Sequence, residues 1–156
     1  MQVALIGTNL GTGNIILGGG KLVTTSTTST TKTVTLNTGT DTLAAAAATT
    51  ATYNGAIGGN ALTLGDVTNT GTVVLAATNG YTGATNLNDG TLDLTGSLAS
   101  AVNIASGATL SGAGMTTGVA TCSSIAPVPS TRLSVLPSSE VVARVRWLRP
   151  GSAPVS

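Results

Sequence analysis

Phenylalanine and histidine are absent from this chain of 156 residues, cysteine and tryptophan occur once each, tyrosine occurs twice, and charged residues make up only 7%. Each shortage removes a class of protein. An ordinary globular domain is about 25% charged and has aromatic anchors in its core, so a conventional core is hard to assemble here. Without histidine a His/Cys metal site is excluded, and Ser123 and Ser124, beside Cys122, have no imidazole to activate them as nucleophiles. A lone Cys122 makes no internal disulfide. Of the basic residues, only Lys21 and Lys32 precede Arg132. Phosphate neutralisation needs clustered cations, so no nucleic acid is expected as a partner. No run approaches the roughly 18 apolar residues of a membrane-crossing helix, so no membrane span is expected in this chain. Met1 to Leu10 also lacks the basic and long apolar regions of a signal peptide. A role outside the cell would therefore require a longer precursor.

What the chain has is glycine, threonine, asparagine and alanine. The hydrophobic fraction of 41% overstates the core, because much of it is alanine, and Val, Ile and Leu must do most of the packing. Disorder usually accompanies high net charge and low hydrophobicity, yet the formal net charge is only +1. Small side chains suffice where each coil of a stacked repeat satisfies the backbone of its neighbours. That composition fits a narrow, repetitive β-structure.

Apolar residues come as short alternating runs bounded by Gly or Asn, which are strand signals: Gln2 to Ile6, Asn14 to Leu17, Lys21 to Thr24, Thr33 to Asn37 and Ala61 to Leu64. The series continues through Thr72 to Leu75, Ala84 to Leu87, Thr91 to Leu94, Ala101 to Ile104 and Ala108 to Leu110. The Thr/Ser stretch from Thr24 to Thr33 and the alanine run from Ala44 to Ala48 read as degenerate coils or loops. Near residues 115 to 126 the composition breaks. All five prolines, Trp147 and four of the six basic residues lie beyond it. The resulting division is residues 1–49 as degenerate Thr/Ala/Gly-rich coils, 50–115 as a repeat region, and 116–156 as a Pro/Ser/Arg-containing tail expected to be poorly ordered or out of register.

Repetition supports the middle region. Gly71-Thr-Val-Val-Leu75 and Gly90-Thr-Leu-Asp-Leu94 share the pattern Gly-Thr-apolar-x-Leu, and Gly107-Ala-Thr-Leu110 is a looser copy. Their separation implies a coil of roughly 18 to 25 residues, within the range of stacked architectures. A second echo sets Tyr53-Asn-Gly-Ala56 and Leu62-Thr-Leu64 against Tyr81-Thr-Gly-Ala84 and Leu92-Asp-Leu94. It predicts that the two tyrosines occupy matching repeat positions and pack across turns.

From Gly71 to Leu94 the chain resembles the autotransporter-associated β-strand repeat, in which a GTL-x-L strand leads into an N-x-YTG-x-T turn and a second GTL-x-L strand. Asn79, Tyr81, Thr82, Gly83, Thr85, Gly90, Thr91, Leu92 and Leu94 match it as they stand. The looser likeness runs over roughly residues 50 to 115. The resemblance implies an all-β fold, a right-handed parallel β-helix or solenoid fragment. It also implies a place in the passenger domain of a secreted protein of a Gram-negative bacterium, exported to the cell surface through the outer membrane by a C-terminal barrel. No such barrel is found here, nor the family's usual continuation beyond Gly114.

The sequence offers no catalytic, cofactor-binding or metal residue, and no cofactor is expected. A β-helix enzyme acting on polysaccharide needs grouped carboxylates on one face. Of those before the tail, Asp93 alternates with Leu92 and Leu94 and should face solvent, and Asp89 lies in an Asn-Asp-Gly turn. Gly18-Gly-Gly-Lys21 fails the spacing of a phosphate loop. Thr33-Val-Thr35, Thr38-Gly-Thr40 and Thr40-Asp-Thr42 invite comparison with the threonine arrays of ice-binding solenoids, but such arrays must recur at one place on every coil and these phrases do not. The expected function is a structural and interaction module, a surface stalk or adhesin with an unidentified host-surface or cell-surface ligand, whose open solenoid ends self-associate. The alternatives are part of a β-helix enzyme with its catalytic residues elsewhere, or a non-functional truncated product.

Overall fold

A computed structural model describes residues 2–5 and 11–123; the expectation of a poorly ordered tail falls mainly on residues 124–156, outside that range. The described residues form strands without a helix. In chain order these are β1 (Gln2–Leu5), β2 (Ile15–Leu17), β3 (Lys21–Thr24), β4 (Thr28–Thr30), β5 (Val34–Leu36), β6 (Asp41–Ala45), β7 (Thr50–Tyr53), β8 (Ile57–Gly59) and β9 (Leu62–Leu64). They continue as β10 (Thr72–Leu75), β11 (Thr78–Asn79), β12 (Thr85–Leu87), β13 (Thr91–Leu94), β14 (Ser97–Leu98), β15 (Val102–Ile104), β16 (Thr109–Ser111), β17 (Met115–Thr116) and β18 (Ala120–Cys122).

Every pairing between these strands is parallel; β1 pairs with β3, and from β2 onward each strand pairs with the one three places along the chain. That connectivity makes a β-solenoid of about five turns. One face is the seven-stranded sheet β1-β3-β6-β9-β12-β15-β18; a second is the five-stranded sheet β4-β7-β10-β13-β16; the third is divided between β2-β5-β8 and β11-β14-β17. Parallel strands need long crossovers, and here each crossover is the rest of a coil. Three- and four-residue strands are too short to stand alone, so their stability comes from stacking.

Alternation places one column of each strand inward. Leu22, Leu43, Leu64, Leu87 and Ile104 stack in register on the first face, and Val73, Leu92 and Leu110 with Leu75 and Leu94 do so on the second. All are buried in one continuous cluster that runs from Ile15 to Leu110. Gly-Thr-apolar-x-Leu was read at the right register: Thr72 pairs with Thr91, Val73 with Leu92 and Leu75 with Leu94. The looser copy is shifted by one residue, because Thr91 pairs with Thr109, opposing Gly90 to Ala108 rather than to Gly107.

Two expectations change. The Thr/Ser stretch supplies β4, and the alanine run enters the stack through Ala44 and Ala45 of β6 before Ala46 to Ala48 leave it in a turn. The ladder also runs past Gly114, with β17 on β14 and β18 on β15, so stacking reaches Cys122.

Candidate functional site

The turn that carries the family resemblance is built inward. Asn79 is buried, its Oδ1 accepting the Ile57 N–H at 3.0 Å from the coil before, while its Nδ2 donates to Ala77 O at 2.8 Å and to Ser97 O at 3.3 Å in the coil after. One side-chain amide thus bridges three successive coils at a corner. Tyr81 is also buried, with its hydroxyl 2.6 Å from Thr85 Oγ1, which lies 2.9 Å from Ser100 Oγ. Thr82 N donates to Gly59 O in the coil before at 3.0 Å. Gly83 permits the corner to close, since a Cβ there would lie 2.4 Å from the Ala61 backbone nitrogen. The motif residues therefore form core and corner, with no buried side-chain nitrogen or oxygen left unpaired among the described residues.

The tyrosines are not equivalent. Tyr53 belongs to β7, paired with Leu75, whereas Tyr81 sits at the corner before β12; Leu62 and Leu64 stack on Thr85 and Leu87 rather than on Leu92 and Leu94. The second echo was a coincidence of composition. Burial pushes the Tyr53 hydroxyl up to about 12, only partly offset by a hydrogen bond with Thr24. Tyr81 is raised by burial too, against the opposing effect of Thr85 and Ser100.

The carboxylates do not converge, and among the described residues no group of three His, Cys, Asp or Glu side chains could hold a metal. Asp41 is fully buried and occupied, with Gly19 N donating to Oδ1 at 2.6 Å and Thr38 N to Oδ2 at 3.0 Å. Its burial was not foreseen. Asp66 forms an ion pair with Lys21 at 2.8 Å and also accepts from the Thr68 and Asn69 backbones and side chains. Burial acts to raise its pKa, but the bonds from Lys21, Thr68 and Asn69 outweigh that and hold it well below the usual carboxylate range. Asp89 accepts from Gly90 N at 2.7 Å inside its turn, as expected. Asp93 is half-buried on the outward side of β13. A recess lined by Leu94, Leu110, Ser111, Gly112, Gly114 and Thr116 has room for about one water, far less than a substrate.

The outward columns hold the feature the sequence reading missed. On the first face the register aligns Lys21, Thr42, Thr63, Asn86, Asn103 and Thr121. Its upper members bond one another, Asn103 Nδ2 to Asn86 Oδ1 at 2.9 Å and Thr121 Oγ1 to Asn103 Oδ1 at 3.0 Å. On the second face the register aligns Thr50, Thr72, Thr91 and Thr109. Thr27 extends this column by accepting the Thr50 N–H at 3.2 Å. The phrases Thr33-Val-Thr35 and Thr38-Gly-Thr40 do not recur, since Thr35 aligns with Ile16 and Gly58. The recurring column was hidden because its members come from coils of unequal length.

Comparison with models of known protein families, with curated proteins and with solved structures finds no match. Among the described residues no helix is long and apolar enough to cross a membrane.

Proposed function

We propose that the chain is a structural and interaction module, a fragment of an exported autotransporter passenger that acts as a surface stalk or adhesin. The observation that carries this reading is the use made of the motif residues: Asn79, Tyr81 and Thr85 are spent on joining coils to one another. A stalk needs that continuity, because each coil is held only by its neighbours. The engaged state of Asp41, Asp66 and Asp89 supports a non-enzymatic role for this segment. Its partner is a host-surface or cell-surface ligand, and copies of the chain pair through unpaired strand edges at the solenoid ends. Localisation is extracellular or on the cell surface.

Sequencing the source gene beyond both ends of the reading frame tests this proposal. Further bland coils followed by an alternating β-barrel pattern are expected. Clustered carboxylates on adjacent coils, or a gene with neither coils nor barrel, would overturn it.

A further inference from the structure

We propose that the threonine face, formed by β4, β7, β10, β13 and β16, binds the surface of crystalline water. The inference goes beyond the stalk reading and does not depend on it. The column Thr27, Thr50, Thr72, Thr91 and Thr109 gives one threonine per coil in strand register. The hydroxyls of Thr50, Thr72, Thr91 and Thr109 make no hydrogen bond to another described residue. On the sheet containing β12, β15 and β18, by contrast, Asn103 donates to Asn86 and Thr121 to Asn103, so the upper part of that outward column is bonded to itself. Each threonine offers both a methyl group and a hydroxyl, so the column can order water without being an ordinary hydrophilic patch.

Spacing supports a lattice as the partner. Parallel strands lie about 4.8 Å apart and alternate residues of a strand about 6.6 Å apart. In tetrahedral water with oxygens about 2.75 Å apart, second-neighbour oxygens are separated by about 4.5 Å and the layer repeat is about 7.3 Å. Along the threonine column the two spacings differ by less than about a tenth, over a column long enough to engage several repeats. A soluble sugar or peptide would use a pocket or aromatic platform, and both tyrosines are buried.

The second outward column of this face is Ser29, Thr52, Val74, Asp93 and Ser111. It is mixed, and Asp93 places a charge where a strongly hydrated group disfavours a solid lattice. That imperfection supplies a gain-of-function test.

The full chain should be captured by a slowly growing ice surface and should slow ice recrystallisation. Thr72→Lys and Thr91→Lys should each cut capture at least tenfold, while Thr63→Lys on the opposite sheet leaves it within twofold. Val74→Thr combined with Asp93→Thr should increase it at least threefold. Circular dichroism verifies that each variant keeps its strands. Exclusion of the folded parent chain from ice would overturn the proposal, as would equal losses from Thr72→Lys and Thr63→Lys. Should a lysine variant unfold, the double threonine variant decides, and no gain from it counts against the lattice.

Discussion

From Leu22 to Leu87 the first face advances by 21, 21 and 23 residues per coil, whereas from Leu87 to Cys122 it advances by 17 and 18. Strand lengths hardly change between these regions, so the extra residues go into corners. Before β10 the corners are extended and partly ionic: Ala46 to Thr49 turns through Ala48 at a φ of 61°, and Gly65 to Thr70 is tied back to β3 by the Lys21–Asp66 pair. After β10 the connections carry no ion pair among the described residues and are held by Asn79, by the Tyr81, Thr85 and Ser100 hydroxyls, and by Asp89 bonded inside its own turn. The same backbone stack thus tolerates both solutions, because the strands fix the inward columns and leave the corners to vary.

The comparison predicts which changes break the stack and which only shift it. The largest effect is expected from Gly83→Val, where the new side chain meets the Ala61 backbone and no flexible group can yield; loss of the cooperative thermal transition is the expected readout. Asn79→Leu leaves Ile57 N without its side-chain acceptor and takes one donor each from Ser97 O and from Ala77 O, which keeps the Ser97 N–H, and should cost about 2 kcal/mol in urea unfolding. A cost under about 0.5 kcal/mol would show that the neutral corner contributes little.

The tyrosines give an alkaline prediction. Because burial raises Tyr53 in the folded chain, its contribution is complete below the unfolded value of 10.0 and is lost as pH rises towards about 12. Tyr81 shifts the same way. Unfolding followed by tyrosinate absorbance should therefore begin above pH 10, and a phenol titrating normally with strands intact would contradict the burial.

In the extended half, Ala48→Gly should stabilise by about 1 kcal/mol, since only glycine takes a positive φ without cost. The smallest effect belongs to Asp66→Asn. Its depressed carboxyl contributes above the ordinary value of 3.8 and loses that contribution as pH falls below it. The pair is partly exposed, so the loss at neutral pH should stay below about 1 kcal/mol and shrink with salt. A larger loss would mean that the Gly65 to Thr70 connection is integral to the stack.

Strands with branched or leucine residues at alternate positions, such as Thr72 to Leu75 and Thr91 to Leu94, were legible because the inward column leaves a period of two. Thr28 to Thr30, Thr78 to Asn79, Ser97 to Leu98 and Met115 to Thr116 were not, because they are polar or only two residues long and are strands solely through their neighbours. The burial of Asp41 was not legible, since nothing local shows that its carboxylate will be enclosed by Gly19 and Thr38. The likeness of Tyr53 and Tyr81 misled for the opposite reason, as local wording repeated where coil position did not.

By itself the sequence determined that the chain would be a β-stack, because scarce aromatics and charge leave small residues that are stable only when each coil satisfies the next. The tertiary structure alone decided which residues share a column. Register depends on the summed length of three strands and three corners, and a single inserted residue in any corner moves every later residue along the coil. That is why Thr27, Thr50, Thr72, Thr91 and Thr109, spaced by 23, 22, 19 and 18 residues, form one line in space and no regular period in the text.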